Sequence, residues 1–248
     1  AELYEAKTSE EIVSEQTYTF TDRGDRRVTL RPEMTPTLAR MVANKRRDLA
    51  FPLRWFSIGN RFRYERPQKG RLREFYQIDV DLLGLAEGEA DIEILCLASA
   101  LMKAFGADEG MYKIRINSRV ILNQATKAAG LTGDQTRAYL RLLDKKDKLA
   151  PEAFETARLE ISATDPLTHI DSAAVEAFVS AVQARGVSNA EFDPTLTRGF
   201  DYYTGTVFEV FDTDPANSRS LFGGGRYDGL VALFGGEPVP AVGFAIGD

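Results

Sequence analysis

The chain predicts an α+β fold: a mostly antiparallel sheet flanked by helices, interrupted by a small α-helical insert. Three observations carry that expectation. Strand-like runs bounded by turn residues recur at both ends of the chain. Amphipathic helical patterns cover 35–48 and 89–105. Between Arg119 and about Arg185 strand formers thin out, and densely charged helical patterns such as LLDKKDKLAPEAFETARLE take over.

In order along the chain, Thr17–Thr21 and Arg27–Leu30 flank the turn Asp22-Arg23-Gly24-Asp25, a hairpin signal. Thr35 suits a helix cap and Pro36 its first turn, with Leu38, Met41 and Val42 as the apolar stripe. Two further strands, Arg54–Tyr64 and Glu74–Leu83, are joined by the loop Glu65–Arg73, which contains Pro67 and Gly70. A helix over 89–105 and a strand over Tyr112–Asn117 follow. The insert ends at Gly186, after which strands return in FDPTLTRGFDYYTGTVFEVF, LFGGGRYDGLVALFGG and VPAVGFAIGD. The expected division is therefore 1–118, a first part of the core with a hairpin at 54–83; 119–186, a helical insertion; and 187–248, a second part of the core.

Bulk properties narrow the class. At 248 residues, 44% hydrophobic and 27% charged, the chain has globular composition and length for a substantial core. The single cysteine, Cys96, excludes an internal disulfide framework and reads as a small buried helix residue. Without an 18-residue apolar stretch or a signal-like start, a cytoplasmic protein with no membrane partner is expected. A net charge of −6 and a pI near 5.1 argue against a generally basic, non-specific nucleic-acid binder but leave room for a local basic patch.

The stretch 61–77 holds Arg61, Arg63, Arg66, Lys69, Arg71 and Arg73. On a strand, residues two apart share a face, so Arg61 and Arg63 point the same way and Arg73, Phe75 and Gln77 form a second row. Guanidinium forks bind phosphate oxygens bidentately, Phe75 offers a stacking surface for a base, and Glu65 suits an exocyclic amine. The pattern describes a nucleotide site built on arginines, since no G-x-x-x-x-G-K-[ST] and no strand-linked G-x-G-x-x-G occurs. The alternative is a solvated edge hairpin.

Three other segments invite attention. RGFDYYTGTVFEVF joins Arg198, Asp201, Tyr202 and Tyr203 to a clean strand, on which adjacent tyrosines would face opposite sides. In GGGRYDG, glycines precede Arg226, Tyr227 and Asp228 and read as a tight turn or a close backbone approach. VGFAIG reads as a buried strand ending in glycine. The acids Glu33, Glu65, Asp79 and Asp81 are expected on strands near arginines. His169, the only histidine, has no neighbouring ligand cluster, so no protein-held metal is expected, and no Ser/His/Asp set can be assembled.

Read in order, LRPEMT, FRYERPQKGRLREFYQ, RGFDYYTGTVFE, GGGRYDGLV and AVGFAIG resemble the class II histidyl-tRNA synthetases over about 10–118 and 190 to the end, with a weaker match in the insert. FRYERPQKGR looks like that family's version of class II motif 2, and RGFDYYTG and GGGRYDG like its two histidine-specific motifs. The resemblance implies a class II aminoacyl-tRNA synthetase-like antiparallel sheet and ATP-dependent activation of histidine to histidyl-adenylate, with transfer to tRNA(His). Glu33, Met34 and Thr35 would belong to the histidine site, Glu33 and Thr35 holding the ammonium with Gln77. Asp81 and Tyr203 would recognise the imidazole, with Tyr202 and Tyr227 lining the pocket. Arg63 would clamp the α-phosphate and substrate carboxylate, and Glu65, Arg71 and Phe75 the adenine end and outer phosphates. Arg198 would stabilise the developing charge in contact with both substrates. Mg2+ would arrive with ATP, bridging its oxygens, and the full-length protein would be a homodimer.

The chain departs from the family pattern in places. Aspartate stands at 81 where many bacterial members carry glutamate. The insert is short. Little of the first motif precedes residue 10, and Gly247-Asp248 falls just before the third motif's arginine, with no anticodon-binding domain after it, as expected of a fragment. Two further readings are a catalytically inactive, histidine-binding regulatory subunit of ATP phosphoribosyltransferase and a pseudo-synthetase domain of a signalling protein. Both are disfavoured by the intact ERPQKGR loop.

Overall fold

The computed structural model describes residues 2–5, 16–65, 71–198, 202–217 and 219–248. Arg66, Pro67, Lys69 and Gly70 of the basic loop and Asp201 of RGFDYYTG lie outside the described residues, as do 11–15. Two compact units emerge. The first comprises the described parts of Ala1–Ala90, Phe200–Tyr202 and Arg226–Asp248, and the second those of Asp91–Gly199 and Tyr203–Gly225.

In the first unit, strands β1 (Thr19–Thr21) and β2 (Arg27–Thr29) form the expected hairpin, with Thr19 opposite Thr29. Asp22 makes the turn: its Oδ1 accepts the N–H groups of Gly24 (2.8 Å) and Arg26 (3.0 Å). Asp25 takes the left-handed conformation, φ 55°. Helix α2 (Thr35–Lys45) follows a short helical segment, α1 (Glu2–Glu5). Its N-cap is Met34, and Thr35 is the first helical residue rather than the cap. The apolar stripe is also shifted: Pro36, Leu38, Ala39 and Val42 are buried while Met41 is exposed.

Strands β3 (Leu53–Phe62) and β4 (Glu74–Leu83) pair antiparallel along their whole length, from Leu53 opposite Leu83 to Phe62 opposite Glu74. The ladder is extended by Arg63 N–H to Arg73 O, 3.0 Å. Strand β9 (Ala241–Gly247) pairs antiparallel with the other edge of β4. Gly84, just after β4, has φ 92°, and a Cβ there would sit 2.6 Å from the Phe51 ring, so only glycine fits that turn.

The second unit holds nearly all of α3 (Glu89–Ala104), then β5 (Tyr112–Ser118), helices α4 (Arg119–Ala128), α5 (Gly133–Leu143), α6 (Pro151–Ile161) and α7 (Ala173–Ala184), and strands β6 (Ala190–Phe192), β7 (Thr206–Asp212) and β8 (Ser220–Arg226, whose last residue belongs to the first unit). Its strands run in the order β8-β7-β5-β6, antiparallel except for the β5–β6 pair. The residues Tyr112, Ile114, Ile116, Val207, Phe208 and Val210 are fully buried. Over the helical stretch, Ser118 caps α4 and Thr132 with Gln135 closes a capping box on α5. Leu122, Tyr139, Leu140 and Leu143 form a small core there, joined by Phe154, Ile161 and Ile170. Cys96 on α3 is half-buried rather than buried, and burial raises its thiol pKa. No helix among the described residues is long and apolar enough to cross a membrane.

Candidate substrate-binding site

Alternation along β4 sets Phe75, Gln77, Asp79 and Asp81 on one face, and the register adds Trp55, Ser57, Gly59 and Arg61 of β3. On the β9 side the facing positions are Gly243, Ala245 and Gly247. Small residues there leave room beside β4. A Cβ at Gly243 would lie 2.6 Å from Asp81 Oδ1, and one at Gly247 3.3 Å from the Phe75 ring.

Gln77, Asp79 and Asp81 are only 5%, 2% and 5% exposed, so each needs a partner. Gln77 Nε2 donates to Asp79 Oδ1 at 2.5 Å. Asp79 Oδ2 accepts from Arg61 at 2.5 Å and from Ser57 Oγ at 3.3 Å. Asp81 accepts the phenolic O–H of Tyr227. Burial pushes the Asp81 carboxyl up to about 7; the Tyr227 hydrogen bond opposes this and the charge on Asp79 adds to it. Burial also raises Asp79, with Arg61 opposing.

Tyr227 is held from both sides. Its N–H donates to Ala241 O at 2.7 Å. Arg226, 1% exposed, donates to Asp228 Oδ1 (2.9 Å) and to the carbonyls of Leu85 and Ala86 (3.3 Å each), and Asp228 Oδ1 also accepts Ala241 N–H. Tyr202 meets Tyr227 edge-to-face, centroids 5.9 Å apart, and its O–H donates to Glu33 Oε2 at 3.2 Å. Tyr4 O–H donates to the Glu33 carbonyl at 3.2 Å and lies 3.3 Å from Thr37 Oγ1. Met34 and Thr35, both half-buried, are the residues that open α2.

The arginines divide. Arg61 is buried and bound to Asp79, so it does not join Arg63 on a phosphate-facing surface as alternation suggested; β3 ends at Phe62. Arg63 Nε donates to Pro32 O at 2.9 Å, and its guanidinium lies 5.5 Å from the Phe75 ring centre. Glu65 Oε2 pairs with the half-exposed Arg71 at 2.7 Å. Arg73 covers the Tyr64 ring at 4.1 Å. Glu33 and Glu65 are not on strands: the first precedes α2 and the second follows β3.

In the second unit, Arg198 pairs with Glu209 at 2.8 Å and lies 5.9 Å from the Tyr203 ring centre. Burial raises the Glu209 carboxyl, with Arg198 opposing. The glycine run is strand β8, not a turn, and none of its residues has positive φ. A Cβ on Gly225 would sit 2.9 Å from the Tyr203 ring and 2.6 Å from Thr206 O; one on Gly223 would run into the Arg198 guanidinium and lie 2.5 Å from Phe208 O. The glycines form a floor for those two side chains. Tyr202 and Tyr203 precede β7, which starts only at Thr206, so strand alternation does not set their directions. Among the described residues no group of three or more His, Cys, Asp or Glu side chains could hold a metal ion, and His169 is exposed.

The sequence placed Arg61 on a phosphate-facing row and named Asp79 and Arg226 without a specific role, and it gave no signal for Tyr4. The signal available for Asp79 was its place in the Q-x-D-x-D alternation.

The family model for histidyl-tRNA synthetase matches residues 1–179 and 150–247. Histidine--tRNA ligase of Leptospira biflexa serovar Patoc is 43% identical over 271 residues, covering 100% of this chain and 62% of that protein. That of Natronomonas pharaonis is 41% identical, covering 99% and 62%. The chain thus spans about 62% of the length of these relatives. A Bacillus halodurans structure described as an ATP phosphoribosyltransferase regulatory subunit/histidyl-tRNA synthetase aligns with a TM-score of 0.73 at 25% identity, over 94% of this chain and 66% of that one. Histidyl-tRNA synthetase from Nostoc sp. PCC 7120 shares the fold, with a TM-score of 0.76 at 24% identity over 93% of this chain and 60% of that one. The chain belongs to the histidyl-tRNA synthetase family.

Proposed function

We propose that this chain is the catalytic core of a histidine--tRNA ligase, which binds histidine and ATP, joins them as histidyl-adenylate and passes the histidyl group to tRNA(His). The observation that carries the reading is the single β4 face. It ends in an acid–phenol pair, Asp81 and Tyr227, at one side and in Arg63, Phe75 and the Glu65–Arg71 pair at the other, with Gln77 between. The first pair suits an imidazole and the second a nucleotide triphosphate.

In this reading the imidazole N–H donates to Asp81, and Tyr202 and Tyr227 line its pocket. The ammonium donates to Glu33, Thr35 and Gln77, beside Met34. The histidine carboxylate attacks the α-phosphorus, a C–O–P linkage forms, and the bond to the β-phosphate oxygen breaks to release pyrophosphate. Arg63 contacts both substrates and offsets the charge gathering on the α-phosphoryl oxygens, so the step needs alignment and positive charge rather than a covalent nucleophile. Phe75, Glu65 and Arg71 take the adenine end and the outer phosphates. Magnesium enters with ATP as part of the substrate. A homodimeric, cytoplasmic protein is part of the same reading.

Histidine-dependent exchange of pyrophosphate into ATP tests it. Exchange supports the ligase. Histidine binding without exchange would favour the regulatory reading that the name of the Bacillus halodurans relative includes.

A further inference from the structure

The proposed ammonium contact of Gln77 raises a problem of orientation. A glutamine amide presents a donor on one side and an acceptor on the other, and only the acceptor suits an ammonium. Asp79 resolves it. An ionised carboxylate accepts hydrogen bonds and cannot donate, so the amide nitrogen of Gln77 must turn toward it, as the 2.5 Å contact from Nε2 to Asp79 Oδ1 records. The carbonyl Oε1 is thereby turned away from Asp79. No hydrogen-bond donor among the described residues reaches it.

The other oxygen of Asp79 is occupied by Arg61 at 2.5 Å, with Ser57 Oγ at 3.3 Å. Arg61 is itself fixed through Ser57 Oγ (3.2 Å) and Asn60 O (3.0 Å). Both partners of the ion pair are 3% exposed. A buried pair of this kind adds little net stability compared with apolar side chains of similar size, because desolvation offsets the attraction. Arg61 favours the charged form of Asp79 against the burial that raises its pKa, and charge is what makes the carboxylate an obligate acceptor.

We infer that Asp79, held ionised by Arg61, is a positioning residue that fixes the Gln77 amide with its carbonyl outward and so makes the amino-acid site selective for a cationic amine. The inference rests on the proposed ammonium contact of Gln77 and deepens it.

The test compares the affinity of the full chain for histidine with that for 3-(imidazol-4-yl)propionate, which has the same ring and carboxylate but no amine. Asp79→Asn alone strands the Arg61 charge and risks misfolding, so paired variants are used. Arg61→Met/Asp79→Leu removes the acceptor without leaving a buried charge. It should lower the histidine-to-analogue preference about tenfold or more, as expected for a misdirected hydrogen bond to a charged group. Arg61→Met/Asp79→Asn restores a carbonyl acceptor at 79 beside a competing N–H donor, so it should recover part of the preference but not all of it. A purely structural role would weaken both ligands alike and give no recovery. Gln77→Leu separates this inference from its foundation. If Gln77→Leu lowers the preference while Arg61→Met/Asp79→Leu does not, the role of Asp79 is overturned and the ammonium contact stands. If Gln77→Leu leaves the preference unchanged, the ammonium contact itself is wrong and the inference falls with it.

Discussion

The β3–β4 ribbon and the β5–β7 pair are both antiparallel ladders, yet the mix of side chains they bury differs. In β5–β7 the fully buried residues are Tyr112, Ile114, Ile116, Val207, Phe208 and Val210, with Asn117 as the one polar member. The ribbon buries the apolar Leu53, Leu82 and Leu83 at one end, but along its middle it buries Arg61, Gln77, Asp79 and Asp81 and leaves Phe56, Ile58 and Tyr76 exposed, at 73%, 63% and 56%. Apolar burial stabilises a sheet without demanding any partner geometry. Polar burial is tolerated only where each group finds a partner, and it leaves a face able to discriminate among ligands. The β5–β7 pair is scaffold, and in the proposed reading the β3–β4 ribbon is the recognition surface.

The largest expected effect tests the scaffold half of that contrast. Phe208→Ala opens a cavity in a fully buried position and should lower stability by about 3–5 kcal/mol, read as a shift in urea midpoint. A loss below about 1 kcal/mol would mean that β7 is not the core element its burial implies.

On the recognition side, Arg63→Ala should leave the urea midpoint within about 1 kcal/mol, since the Arg63 side chain contributes one hydrogen bond to Pro32 O, a 4.0 Å ion pair with Glu65 and a ring contact. Histidine-dependent pyrophosphate exchange should fall about 10³-fold, the upper end for removing a group that stabilises transition-state charge. Near-normal exchange would remove Arg63 from the reaction.

Buried carboxyls in both regions should make stability depend on pH, since burial raises Glu209 of β7 as well as Asp79 and Asp81 of β4. The Asp81 carboxyl is raised to about 7, against about 3.9 in an unfolded chain. Between those values the native state keeps a proton that the unfolded chain has released. Stability therefore falls as pH rises from about 4 to about 7 and levels off above, by a total on the order of 4 kcal/mol. Asp79, also raised, adds to the same slope. Asp81→Asn should flatten this profile in denaturation series at pH 5 and 8; an unchanged slope would assign the pH dependence elsewhere.

How much of this was legible in sequence follows from what each feature depends on. Strand β4 could be read in full, Glu74 to Leu83, because period-two alternation is local. That Arg61 serves Asp79 could not be read, because it depends on which residue of β3 stands opposite which of β4: the register places Ser57 across from Asp79 and brings Arg61 within reach. The run at 223–225 reads as a tight turn or a close backbone approach, and the structure has the second. Glycine is needed within this strand because the Arg198 and Tyr203 side chains and the carbonyls of Phe208 and Thr206 lie where Cβ atoms would be, a fact about residues far off in sequence. Thr35 looked like a cap, but Met34 takes that place and no side chain caps α2. Of the site residues, those in the motif segments were found by resemblance. Arg226 carries no role in the sequence reading because its partners are distant in sequence: it is buried and holds the carbonyls of Leu85 and Ala86 and the carboxylate of Asp228, next to the Tyr227 that meets Asp81.

The smallest effect sharpens the contrast most. Phe56 faces outward from β3, opposite Val80 on β4. At 73% exposure it has little area left to lose on unfolding, so Phe56→Ser should change stability by less than about 0.5 kcal/mol. The same chemical change at Phe208 removes a side chain with no exposure at all, and the two phenylalanines should differ roughly tenfold in cost. Similar urea midpoints for both variants would mean that the outward face of the ribbon is covered in solution, and that its apolar residues act as core after all.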